Sequence, residues 1–465
     1  MKRRALLAGG AAAAMVLAAC GDGGGDGGGG DGGEGGTLTM WTVEDLSERV
    51  EAQQAILDRF AEETGTRVEL VPVAEDQLTP VLTSAAAAGD LPDVIAAVSL
   101  GAVNQLNADG LLDTALAAEI VDALGEDTFS ESALELTRSE DTQLAVPSDS
   151  WSQLLFYRTD LFEQAGLEPP ESYEAIEAAA QALNTGGVAG IVAATAPAET
   201  FTHQTFEQVA LANDCQLVDD GGDVALESEQ CTEAVTFYTD LMRNYSVAGN
   251  QDADTTRAAY FAGTAGMVIW SSFLLDELAG LRNDALPTCP ECADNPRFLS
   301  ENTGVVSAIE GPSGSQPATF GEVVSFAPLA DAAPETADLV QWLMEDGYED
   351  WLAIAPEGKV PVRTGTADEP DRFTTAWRGM QAGVDTKAPL SDIYDPAVLE
   401  AVAASAENLT RWGIPQGQGQ LAGTVQSQFV IPAGLAEVIN AGTDPADAVA
   451  SMAEQVTQIQ QQTGS

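Results

Sequence analysis

The chain has 465 residues, with 18 Lys and Arg against 73 Asp and Glu and a single His, for a formal net charge of −55 at pH 7. That balance excludes nucleic acid as a partner, because phosphate binding needs clustered cations that release counterions, and it argues against docking on an anionic membrane surface. With 45% hydrophobic and 20% charged residues the chain can build a large core, and its length suits about two or three domains. Only Lys2, Lys359 and Lys387 represent lysine. A surface so rich in carboxylates repels itself in dilute salt, so the excess reads either as adaptation to a saline habitat or as an acidic secreted protein from a GC-rich genome.

In chain order, Lys2-Arg3-Arg4 precede the uncharged run Ala5 to Ala19 and then Cys20, the order of an export signal over residues 1–19. The run is too short for a stable membrane span. Leu17-Ala18-Ala19-Cys20 resembles a lipobox, in which cleavage before Cys20 leaves the thiol to carry diacylglycerol. Residues 20–36 then read as the lipidated Cys and a tether of Gly, Asp and Glu alone, which cannot bury apolar surface. A calcium-binding repeat is the rival, but it would need an apolar residue in every unit. The remaining Cys215, Cys231, Cys289 and Cys292 form an even set in an exported chain and read as two disulfides. Cys215–Cys231 and Cys289–Cys292 is the economical pairing among three connectivities. A four-thiolate zinc site is the alternative, disfavoured because only the second pair has CxxC spacing.

The globular part starts near Thr37. Leu38 to Trp41 reads as a strand, Asp45 to Thr64 as an amphipathic helix stopped at Gly65, Val68 to Val73 as a strand, Leu78 to Ala88 as a helix and Val94 to Val98 as an apolar strand. That alternation predicts a parallel sheet with right-handed crossovers. The pattern breaks at Leu144-Ala145-Val146-Pro147, and a second series begins with a strand at Leu154 to Tyr157. Helices follow at Asp160 to Gly166, from Ser172, around Phe206 to Ala212 and over Glu229 to Asn244. Two α/β lobes make a cleft, where small ligands are buried.

Five stretches, in order, resemble the extracellular solute-binding proteins of ABC importers, the maltose-binding-protein-like sugar receptors. They are Leu38 to Trp41 with the helix after it, Gly89-Asp-Leu-Pro-Asp93-Val, Leu155 to Pro170, Phe261-Ala-Gly-Thr-Ala-Gly-Met267, and the tail Ala436 to Val449. The resemblance implies an α/β, periplasmic-binding-protein-like (class II) fold, with two lobes of discontinuous chain around a ligand cleft. Lobe one would be 37–146 plus 318–358 and lobe two 147–317 plus 359–465, with a strand at Phe320 to Val324, a helix over Thr336 to Glu345 and crossings near Ala145-Val146, Ala318 and Lys359-Val360. It further implies a lipid-anchored monomer at the outer face of the cell membrane, delivering a mono- or oligosaccharide to the permease subunits. The alternatives are a receptor for glycerol phosphate, a polyamine or a peptide, or a cell-surface polysaccharide hydrolase.

A sugar needs aromatic rings for its C–H faces and carboxylates, amides or hydroxyls for its rim. Trp41 ends the first strand, where α/β sheets place ligands, and Glu44 follows at the mouth. Ser99 is similar in position to a polar contact of the family, although Ala97 stands where an aromatic is common. Asp149 and Trp151 follow the first crossing, and Trp151 aligns with a family position facing the cleft. Trp270, Ser271 and Phe273 lie where the family carries a stacking ring, and Trp412 reaches toward the cleft from the C-terminal helices. Trp342 and Trp351 read as core and Arg363 as a hinge ion-pair residue. His203 is the only His, so His-based triads and multi-His metal sites are excluded unless that one residue serves, and in its helical context it reads as a surface or satisfied-core residue. No catalytic residue, cofactor or metal is expected.

Overall fold

The computed structural model describes residues 36–463, so the export segment, Cys20 and the tether up to Gly35 lie outside the described residues. Strands β1 (Thr37–Thr42), β2 (Arg67–Pro72) and β3 (Val94–Val98) are parallel, with Met40 opposite both Leu70 and Val94. Helices α1 (Ser47–Thr64) and α2 (Leu78–Ala88) connect them. Gly65 ends α1 in the left-handed conformation, φ 84°, where a Cβ would be strained. All of β3 is buried, because its two faces feed two different cores. Val94 and Ala96 pack with Ile56, Leu57 and Phe60 of α1, while Ile95 and Val98 pack with Leu78 and Leu82 of α2. A helix absent from the sequence reading, α3 (Leu100–Ala108), follows Ser99 directly.

Two long antiparallel strands organise the rest. The strand expected at Leu154 to Tyr157 runs from Val146 to Arg158. Pro147 obscured its first half, since a proline removes a ladder donor, but here it sits at the register shift between Pro147 and Asp149. Val146 to Ser152 pair with the return strand Thr319–Pro328, which pairs β3 on its other edge. Gln153 to Arg158 instead pair with Met267–Ser271 and Thr303–Val306. The nine-stranded sheet is therefore mixed, and only the three N-terminal strands realise the parallel arrangement expected of the first series. Short strands Val360–Pro361 and Leu409–Thr410 flank the two long strands, opposite Asp149 and Ser150 and beside Thr319 and Phe320.

The same two strands thus enter cores at both ends. Val146 and Phe326 pack with the α1 core, whereas Leu155 and Phe320 pack with Phe206, Tyr238 and the C-terminal helices. The segment after Val360 returns to the first core, where Phe373 packs edge-on against Tyr348 at 4.8 Å. Arg363 is buried and donates to the carbonyls of Leu124 and Met344, so its reading as a hinge ion-pair residue is only partly met: its one ion pair, with Glu345 at 3.7 Å, is secondary to those bonds. Trp351 is fully buried as expected, but Trp342 is half-buried, with Arg59 over its ring. Cys215–Cys231 and Cys289–Cys292 are disulfides, which leaves no thiolate for the zinc alternative. No helix among the described residues is long and apolar enough to cross a membrane.

Candidate functional site

Where the two long strands pass from one core to the other, the surface opens into a cleft of about 540 Å³. Its walls come from both ends of the sheet: Glu44 after β1, Ala97 in β3 and Ser99 after it, Asp149 and Trp151 on the first long strand, Glu322 on the second, and Phe273, Lys359 and Arg411 from loops. Carboxyl ends of parallel strands are open ground, since the helices begin beyond them. Ala97 has φ 61° at the irregularity in β3, which turns the chain so that Ser99 faces the opening.

The expected residues divide into two groups. Glu44, Ser99, Asp149, Trp151 and Phe273 line the cleft together. Trp41, Trp270, Ser271 and Trp412 do not line it. Trp41 lies in the β3–α2 core, Trp270 packs against Phe201 at 4.5 Å, and Trp412 is buried with its indole N–H donating to the Cys215 carbonyl at 2.7 Å. Sequence reasoning missed Glu322 and Arg411 as cleft residues and took Lys359 only for a crossing marker. A signal existed for two of them. Glu322 is the one charge in the apolar run Phe320 to Val324, and Lys359 is one of three lysines in the chain.

The cations of this cleft are already matched. Lys359 Nζ lies 3.1 Å from Glu44 Oε1 and 3.4 Å from Asp149 Oδ1, and 4.6 Å from the Trp351 ring centre. Arg49 takes Glu44 at 3.0 Å. Asp149 also accepts from Trp351 Nε1 at 2.9 Å and Ser148 Oγ at 2.6 Å. Arg411 stacks on Phe320 at 4.4 Å, with Nε 3.2 Å from Glu207 Oε1 and Nη1 bonded to Glu322. Burial alone would raise the Glu207 carboxyl, but Arg411 and His203 beside it hold it below its ordinary value. His203, expected at the surface or satisfied in the core, is buried with Nε2 3.3 Å from Glu207 and Nδ1 without a partner. Glu322 also accepts from the Leu100 N–H at 2.6 Å, so the N-terminus of α3 already holds a carboxylate. Trp151 stands over this network, its ring 5.9 Å from Phe320 and 6.3 Å from Phe273.

A family model described as bacterial extracellular solute-binding protein matches residues 45–278, half of the chain. The chain belongs to that family. It is 26% identical over 416 residues to the putative ABC transporter periplasmic-binding protein YcjN of Escherichia coli (strain K12), covering 86% of this chain and 89% of that protein. Among solved structures it resembles the cyclic α-maltosyl-1,6-maltose binding protein of Arthrobacter globiformis, with 18% identity and a TM-score of 0.69 over 91% of this chain and 98% of the other. A solute-binding protein of Thermotoga lettingae bound with α-D-tagatose gives 20% identity and 0.64 over 91% and 99%. These likenesses establish the two-lobed α/β fold of solute-binding proteins. A second groove of this family member, about 1140 Å³, runs past Tyr173, Phe237, Glu229 and Glu233, and none of its walls comes from β1, β3 or the long strands.

Proposed function

We propose that the chain is the solute-binding subunit of an ABC importer and that its cleft takes an uncharged mono- or oligosaccharide. The observation that carries this reading is Trp151, half-buried and flanked by Phe273, among carboxylates and a hydroxyl whose cations are spoken for. Such a site offers a ring for sugar C–H faces and acceptors for hydroxyls, with no free cation for an acid. Glycerol phosphate is disfavoured for the same reason, since Glu322 occupies the α3 N-terminus where a phosphate would bind. The structural neighbours, one binding cyclic α-maltosyl-1,6-maltose and one bound with α-D-tagatose, agree with the class.

No bond is broken in this mechanism. Solute contacts from both walls exist together only when the lobes are closed, so binding shifts the population toward closure. The lobes in this reading are 37–146 plus 318–358 and 147–317 plus 359–465, with Arg363 to Phe373 packed back on the first. Export over residues 1–19, lipidation at Cys20 and a tether to Gly36 would hold a monomer at the outer face of the cell membrane, beside the permease.

The test is titration of a soluble form starting at Thr37 with mono- and disaccharides, following tryptophan fluorescence and melting temperature. A saturable shift with one sugar, recovered intact, is the expected result. Released reducing ends would put a hydrolase in its place, and silence across the panel would reject the sugar.

A further inference from the structure

Behind the cleft ring Phe273 lies the turn from Ala355 to Lys359, so close that a Cβ on Gly358 would stand 1.9 Å from the ring. Two carboxylates flank this contact and play no part in the solute reading. Asp276, three residues after Phe273, is 1% exposed, and Glu357, next to Gly358, is 4% exposed. Both oxygens of Asp276 and Oε2 of Glu357 have no hydrogen-bond partner.

The surrounding charges do not neutralise them. Asp276 is faced by Glu277 on its own turn, by Arg282 in the following loop and by Tyr394, whose O–H is committed to the Leu275 carbonyl. Arg282 is shared with Glu277 at 3.6 Å and Asp284 at 3.0 Å, and Arg257 goes to Glu277 at 2.9 Å and Asp254 at 2.8 Å. Glu357 is faced by Lys387, by Arg49, which Glu44 holds, and by the Gly383 backbone. Burial first, and then Glu357, raise the Asp276 carboxyl well above its ordinary range, and burial raises Glu357 too. Two carboxyls confined in this way titrate as a pair.

We propose that Asp276 and Glu357 are both held protonated beneath the cleft, and that losing these protons drives the Ala355 to Lys359 turn away from Phe273, so that solute affinity declines as pH rises. Deprotonation releases the protons to solvent and leaves like charges in a desolvated contact. Lys359, at the end of the same turn, carries the displacement to Glu44 and Asp149. Both carboxyls hold protons more tightly folded than unfolded. Their contribution to stability is therefore complete below about pH 4, the ordinary carboxylate value, and is lost as pH climbs through the raised folded-state values. The coupling to affinity rests on the receptor reading, while the pair itself does not.

The experiment uses the full chain, wild type and with Asp276→Asn, Glu357→Gln or both, from about pH 7 to about pH 9, above the range where ordinary carboxylates titrate. The wild-type melting temperature is expected to fall across this range and the double variant to fall less, with tryptophan emission changing in parallel because Trp151 neighbours Phe273. A flat wild type, or equal slopes in both, overturns the proposal. Should the variants fail to fold, the infrared carbonyl band of a protonated carboxyl, present in the wild type at about pH 7 and gone by about pH 9, carries the same test, and its absence at the lower pH overturns the pair. Where a sugar of the panel binds, its Kd rises with pH in the wild type and stays level in the double variant. A level wild-type Kd overturns the coupling. A pH step without any sugar binding supports the pair and rejects the sugar as solute.

Discussion

Trp151 and Trp270 stand on paired strands yet call for opposite phenotypes. Trp151→Ala removes a cleft ring and is expected to weaken solute binding roughly thirty-fold, about 2 kcal/mol, with little loss of stability. Trp270→Ala empties a core position against Phe201 and should cost about 3–5 kcal/mol of stability while sparing affinity in the folded fraction. Titration and chemical unfolding of both variants separate the two, and unchanged binding by Trp151→Ala would remove that ring from the solute. Arg411 makes a third case. Arg411→Met strands the buried Glu207 and should cost about 3–5 kcal/mol near neutral pH. Glu207 is held below its ordinary value, so its paired charge stabilises above the unfolded pKa, and the deficit of the variant should shrink as pH falls toward about 4. A deficit that stays constant with pH would show that lost packing on Phe320 is the cause. Trp151 was legible from its place after the break at Pro147. Arg411 was not, because its partners Glu207 and Glu322 lie 204 and 89 positions away and only the fold joins them.

At the scale of elements, α3 and the helix Gly419–Ser427 meet at the cleft mouth. A Cβ on Gly419 would stand 2.5 Å from Cγ of Asn104, whose amide is pinned to the Leu100 carbonyl at 2.8 Å. Gly419→Ala should therefore prop this contact apart and weaken solute binding several-fold, with a smaller effect on melting temperature; unaltered Kd would show that the contact is not made in the bound state. The Cys215–Cys231 bridge supports the same region through Trp412, and replacing both cysteines by serine is expected to cost about 2–4 kcal/mol in chemical unfolding. The strands β1 to β3 and helices α1 and α2 could be read from sequence because each carries one unbroken pattern, with the helices stopped at Gly65 and Gly89. The long strand from Val146 could not, since its two halves belong to different cores and Pro147 masks the junction. The short strands at Val360 and Leu409 carry two residues each and take their form from neighbours far along the chain.

For the whole molecule the deciding quantity is the net charge of −55. Salt acts in two directions on such a surface. It weakens exposed pairs such as Arg138–Glu126 and Arg372–Glu349, each a fraction of 1 kcal/mol, and it relieves repulsion among the many carboxylates that have no cation to meet. With four acidic residues to every basic one, repulsion outweighs attraction. The buried network of Lys359 and Arg411 is shielded from the ions and should change little. Melting temperature is therefore expected to rise steadily from below about 0.1 M salt, where the Debye length exceeds about 10 Å, into the molar range. A neutral osmolyte at matched concentration controls for effects on hydrophobic burial. A curve that is flat over the whole range would mean that the carboxylates are spread widely enough to be screened by water alone, and that the acidity reflects genome composition instead of a saline habitat.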